Sequence, residues 1–205
     1  KVTFINYPEG KTEYVEAENG PDGGTRQAAF SREIYIEQED FMEDPAPKFH
    51  RLSPGREARL KSAYIIKCEE AVKNAAGEII ELRCTYDPLS KSGKEGANRK
   101  VKGTLHWVEG KSAADITVRL YDHLLKETTG DEEESSDITA TLNPDSRIVL
   151  SGCKAEPLLA AAENGSRCQF LRQGYFIKDK DSSGGIAIYN RIVGLKDSYA
   201  KAAEK

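Results

Sequence analysis

Apolar residues fall along this chain in short runs, several of them alternating with polar ones, and seldom at helical spacing. The runs at 3–7, 33–36, 63–68, 79–86, 102–108 and 116–121 are rich in β-branched and aromatic residues, the composition of half-buried strands. Four more, at 147–150, 168–171, 174–178 and 186–190, carry the same mark. Turn residues separate the runs, and two of these breaks predict antiparallel hairpins: Asn74-Ala75-Ala76-Gly77 and Asp181-Ser182-Ser183-Gly184-Gly185. Helical signals are few. Pro157 to Glu163 predicts two turns that start on a proline and stop at Asn164-Gly165, and Glu37 to Met42 predicts one turn. Ten short strands with so little helix predict a mainly β fold of barrels or sandwiches. No period of 20 to 50 residues repeats, which argues against a solenoid or propeller.

Composition narrows the class. The chain has 205 residues, 38% hydrophobic, enough to bury a core in one large or two small domains. No window approaches the run of about 18 apolar residues that a membrane helix needs, and the start, Lys1-Val2-Thr3-Phe4-Ile5, is no signal peptide, so a soluble protein is expected. The single methionine is Met42 and none opens the chain, which suggests a piece of a longer protein. Cys68, Cys84, Cys153 and Cys168 form no paired motif, and His50, His106 and His123 stand apart. Neither a zinc site nor a disulfide framework is expected, and reduced cysteines fit a cytoplasmic location. In that setting the Asn164-Gly165-Ser166 triplet carries little weight, because the sequon matters only in secreted chains.

Signatures of catalysis are also missing. There is no nucleophile elbow and no dinucleotide fingerprint. Ser90-Lys91-Ser92-Gly93-Lys94 lacks the upstream glycine of a phosphate loop and reads as a flexible basic turn. His106, beside Trp107 in an alternating strand, fits a packed strand residue better than a ligand.

Charge adds a distinct feature. Lys and Arg number 30 against 34 Asp and Glu, a net charge of −4, so the surface as a whole does not attract a polyanion. Residues 127–137 hold six acids and no base, the pattern of a solvated loop. Two islands run the other way. Lys48, Arg51, Arg56, Arg59 and Lys61 face only Glu57 across 47–61, and Lys91, Lys94, Arg99, Lys100 and Lys102 face only Glu95 across 91–102. Any one of these cations alone would be ordinary solvated charge. Their clustering in an acidic chain points to polyanion binding, with loop arginines on base edges and strand cations on phosphates. Phe49 and His50 offer planar surfaces beside Arg51, although Phe49 suits a core position equally well.

Several ordered blocks then carry a resemblance: residues 24–36 followed by Asp40-Phe41, residues 59–68, Cys84-Thr85-Tyr86-Asp87-Pro88, residues 99–108, Val118-Arg119-Leu120-Tyr121-Asp122, Asn143-Pro144-Asp145-Ser146, Gln169-Phe170-Leu171-Arg172-Gln173-Gly174-Tyr175-Phe176, and residues 190–199. In this order, over nearly the whole chain, they resemble the C-terminal anticodon-binding region of bacterial glutaminyl-tRNA synthetases. The resemblance implies two antiparallel β-barrels with a few short helices: a proximal one from 1–46 and 126–205, and a distal one from 47–125. It implies a class I synthetase that joins glutamine to its tRNA with Mg-ATP in a catalytic domain outside this chain. The fragment itself would have no cofactor, no metal and no catalytic residue. Its partner would be the anticodon loop of a glutamine-accepting tRNA, bound by a monomer.

Carried over position by position, the family's third-base arginine matches Arg51, with Phe49 as the aromatic beside it, and its first-base arginine matches Arg59. The middle-base pocket matches Gln169 and Arg172. Lys61, Lys196 and Ser198 match further RNA contacts; lysine at 61, where the family commonly has arginine, keeps the charge for a phosphate but loses the planar fork. The chemistry suits these roles, since Arg donates two parallel hydrogen bonds to a base edge and Gln both donates and accepts, as the mixed edge of uracil requires. Two other readings stand beside it: the related barrel of archaeal and eukaryotic glutamyl-tRNA synthetases, and a free-standing β-barrel that binds proteins. The block Gln169 to Phe176 and Val193-Gly194-Leu195 favours the glutamine family.

Overall fold

Strand-forming runs of the sequence become strands with few exceptions in the computed structural model of the chain, which describes residues 1–20, 23–126 and 141–195. Two compact units emerge, Lys1–Ala113 and Ala114–Lys205.

The first unit is built on β1 (Val2–Phe4), β2 (Thr12–Glu18), β3 (Thr25–Ser31), β4 (Glu33–Tyr35), β5 (Glu57–Leu60), β6 (Ile65–Lys73), β7 (Ile79–Asp87), β8 (Thr104–Leu105) and β9 (Val108–Glu109). Seven of these form one sheet in the order β8-β5-β6-β7-β1-β4-β9, and β2 pairs with β3 as a separate hairpin. The 74–77 turn joins β6 to antiparallel β7, and Asn74 builds it: its side-chain oxygen accepts from the amides of Ala76 (3.0 Å) and Glu78 (2.9 Å). The expected run at 102–108 divides into β8 and β9, and the expected turn after Glu37 is a 3-10 turn, Gln38–Asp40. The core gathers aromatic rings around Phe30, which is fully buried and lies 5.1–5.4 Å, centroid to centroid, from Phe4, Tyr7, Tyr64 and Trp107.

The second unit holds β10 (Ala114–Tyr121), β11 (Arg147–Ala155), α1 (Pro157–Ala161), β12 (Arg167–Phe170), β13 (Gly174–Lys178) and β14 (Ala187–Gly194). Its sheet runs β11-β10-β14-β13-β12. The short helix starts on its proline as expected. Lys178, itself buried, donates to the carbonyls of Ala160 (2.8 Å) and Ala162 (2.7 Å), which otherwise would end the helix unpaired.

The fold is mainly β in curled sheets, as a barrel-forming chain requires. Two features differ from the sequence-based expectation. Three strand pairs are parallel, β1 with β7, β5 with β8 and β10 with β14, and each is joined by the long connection through other elements that parallel pairing needs. The compact units also do not follow the expected division at residues 47 and 126. β1 hydrogen-bonds to β7 and β4 to β9, so residues 1–46 share a sheet with 47–113.

Candidate nucleic-acid interface

A close backbone approach brings the end of the second basic island beside the first. Gly103 lies so near residue 50 that a β-carbon there would sit 2.2 Å from the His50 carbonyl oxygen, inside any allowed contact. Its own carbonyl accepts from the Arg59 amide (2.8 Å), and Leu105 accepts from the Lys61 amide (2.9 Å). Residues 103–105 therefore run beside both ends of the first island. The result is an open cleft of about 830 Å³ in the first unit. Lys48, Arg51, Arg56, Lys67 and Lys102 line it against a single acid, Glu57, with His50 among them and Pro45, Pro47 and Val101 as apolar wall. Such a surface concentrates positive potential locally in a chain of net charge −4.

Arg51 is the most constrained cation of the cleft. The Leu52 amide donates to the Asp40 carbonyl (2.9 Å) and the Met42 amide to the Leu52 carbonyl (3.1 Å), which zips its backbone to the 3-10 turn. Its Nη1 donates to the Glu39 carbonyl (3.1 Å), and its Nε lies 3.4 Å from Oδ1 of Asp40, whose side chain is fully buried. Arg56 is tied by Nη1 to the Phe49 carbonyl (3.2 Å). Lys48 adopts a left-handed backbone, φ 71°, where the chain turns into the cleft.

The other expected residues are dispersed. Phe49 borders the cleft but is only 2% exposed, so its ring is packed rather than presented. Arg59 points elsewhere: Nη1 donates to Ser90 O (3.2 Å) and Nη2 to Ala97 O (2.8 Å) and Arg99 O (3.0 Å). It thereby fastens the 3-10 turns Pro88–Ser90 and Glu95–Asn98 to β5. Lys61 is more exposed, with Nζ 3.4 Å from Glu18. Gln169 and Arg172 belong to the second unit. Gln169 pairs with Tyr175 and Tyr175 with Val193, which aligns one outward row across β12, β13 and β14. Tyr175 and Val193 are about half exposed. Arg172 sits in the turn that follows with φ 68°. Lys196 and Ser198 lie outside the described residues.

Lys67 is the cleft cation that lies in neither island. It faces Glu57 across β5 and β6, and only that register reveals it. Electrostatics elsewhere in the unit is structural. Burial acts to raise the Glu13 pKa, but Lys91 (2.7 Å), Tyr64 (2.8 Å) and Tyr7 (2.9 Å) all donate to its carboxylate and hold it below the usual range. That network ties the 91–94 turn to the β2–β3 hairpin. Cys68 and Cys84 are free, buried and directly opposite across β6 and β7. Among the described residues no group of His, Cys, Asp and Glu is disposed to hold a metal ion.

Two family models match, both described as tRNA synthetases class I (E and Q), anti-codon binding domain, over residues 1–87 and 104–179. The chain is 52% identical over 206 residues to a glutamine--tRNA ligase of Nitrobacter winogradskyi, covering 99% of this chain and 36% of that protein. It is 50% identical over 203 residues to one of Clostridium kluyveri (97% and 36%) and 46% identical over 209 residues to one of Rhodopirellula baltica (100% and 35%). The chain thus spans about a third of the length of the curated relatives it matches.

Proposed function

Because the chain belongs to the anticodon-binding domain family of the class I tRNA synthetases for E and Q, we propose that it reads the anticodon of a glutamine-accepting tRNA for a longer protein that joins glutamine to that tRNA. The observation that carries this reading is one cleft in which Lys48, Arg51 and Arg56 of the first island meet Lys67 and Lys102 around an anchored arginine.

Arg51 is engaged at Nε by Asp40 and at Nη1 by Glu39, whose carboxylate also lies 3.8 Å from Nη1, which leaves Nη2 to donate to a base edge. Lys48, Arg56, Lys67 and Lys102 around it supply phosphate contacts that set register without reading sequence. In the second unit, Gln169 and Arg172 serve another base, with the exposed Tyr175 ring beside Gln169 as a stacking surface. Lys61 holds a phosphate, and Lys196 and Ser198 add further contacts. Arg59 reads its base only after releasing the carbonyls of Ser90, Ala97 and Arg99. The chemistry that consumes Mg-ATP belongs to the rest of the longer protein, which acts as a cytoplasmic monomer. The names of the relatives favour glutamine over glutamate.

Titration of residues 1–205 with the anticodon stem-loop of a glutamine tRNA, against a stem-loop scrambled at the three anticodon bases, tests this. Each well-made base contact contributes about 1–3 kcal/mol, so the cognate loop is expected to bind at least tenfold more tightly. Equal affinities for the two loops would refute the reading.

A further inference from the structure

We infer that Asp40 is a positioning residue for anticodon reading: a buried carboxylate that fixes the direction of the Arg51 guanidinium without touching RNA. This rests on the function proposed above.

Asp40 ends the 3-10 turn Gln38–Asp40, and its side chain is fully buried although it belongs to an acidic residue. Burying a carboxyl group is costly unless a cation or hydrogen-bond donors face it. Arg51 Nε faces it at 3.4 Å, while Nη1 is held by the Glu39 carbonyl one residue earlier. Two points fix the plane of a guanidinium. The backbone bonds between Leu52 and residues 40 and 42 remove the remaining freedom by locking the residue next to Arg51 to the same turn.

The effect is specific to this cation. Arg56, which lines the same cleft, is anchored to a carbonyl, with no buried carboxylate behind it. A bidentate contact to a base edge depends on the angle of the fork, whereas a phosphate contact depends mainly on charge. Pre-ordering one arginine of the cleft separates a base reader from its phosphate-holding neighbours, and it spares the complex the cost of ordering a long side chain. Asp40 itself is absent from the cleft lining, so it acts through Arg51.

The test is a double-mutant cycle. Asp40→Asn keeps the shape and removes the charge. Binding is measured to the cognate stem-loop and to loops changed at one anticodon base at a time, in wild-type and Arg51→Gln backgrounds. Expected is a loss of about tenfold in discrimination at one anticodon position, an unchanged salt slope, and no further loss when Arg51 is already Gln. Three results overturn the inference: equal losses in both backgrounds, an equal loss for every loop, or a general gain in affinity from removing a negative charge. Should Asp40→Asn fail to fold, Arg51→Lys takes its place, keeping the charge without the fork. It is expected to keep general RNA affinity and lose the same discrimination, and retained discrimination overturns the inference. If the wild-type chain discriminates no loop at all, the anticodon reading fails and this inference falls with it; discrimination that is insensitive to Asp40→Asn sinks the inference alone.

Discussion

The two units use similar strands to different ends. In Lys1–Ala113 the apolar faces close on a core of seventeen buried residues, five of them aromatic (Phe4, Tyr7, Phe30, Tyr64 and Trp107), with Tyr86 packed against it. In the second unit the buried cluster among the described residues has six members, centred on Phe176 and Tyr189. There Ile148, Val149 and Leu150 are consecutive in β11 and each is more than 40% exposed. Consecutive strand residues point to opposite faces, so both faces of that stretch are open. The cleft is thus built on the unit whose core is saturated, while the row of Gln169, Tyr175 and Val193 stands on one that keeps apolar surface in water. Positioning of a guanidinium needs a rigid support; a stacking surface needs exposed apolar area.

The sharpest way to break this comparison is to remove a ring from each core. Phe30→Ala is expected to cost about 3–5 kcal/mol in urea unfolding, because four aromatic rings around it cannot all collapse into the space. Phe176→Ala, touching fewer fixed neighbours, is expected to cost less, and equal losses would erase the distinction.

A somewhat smaller effect comes with pH and is read in the first unit. The folded pKa of Glu13 lies below its usual value of 4.5, so its contribution to stability is present above about pH 4.5 and is lost as pH falls through the folded value. Glu13→Gln is expected to cost about 1–3 kcal/mol at neutral pH and to flatten the loss of stability below pH 4.5, as followed by tryptophan fluorescence of Trp107. A variant with the same acid profile as wild type would show the network to be unimportant.

Weaker still is the electrostatic term in RNA binding. Lys61→Ala is expected to reduce affinity for all stem-loops alike and to lower the salt slope by about one unit, in contrast to the position-specific loss expected at Arg51. Filter binding at two salt concentrations distinguishes them. At the bottom of the scale, Val149→Thr should change stability by less than about 0.5 kcal/mol, since its side chain is already half in water. A larger loss in thermal unfolding would mean that β11 is better covered than its exposure indicates.

What the sequence made legible follows from how local each signal is. The hairpin turns at 74–77 and 181–185 are written in neighbouring residues, and both join antiparallel strands. β2 escaped notice because its polarity is inverted: Glu13 faces inward to Lys91, Tyr64 and Tyr7 while Tyr14 is 63% exposed. β5 hid behind Glu57 and Arg59, charges tied to partners on other elements. Lys48, Arg51, Arg56 and Lys102 were visible within islands and Lys67 was not, and their meeting depends on the approach of residue 103 to residue 50 and on the pairing of β5 with β6. Asp40 was one acid among 34. Arg59 was visible as a cation, whereas its three carbonyl acceptors lie 31 to 40 residues further along and leave no local trace.

Gly103 extends this point to inherited variation. Its contribution to the cleft is the absence of an atom, since the space a β-carbon would fill belongs to the His50 carbonyl. A scan of every possible substitution would therefore be expected to mark a residue with no functional group as strongly as any charged residue of the cleft. Position 103 admits one amino acid, and tolerance there measures backbone proximity rather than chemistry.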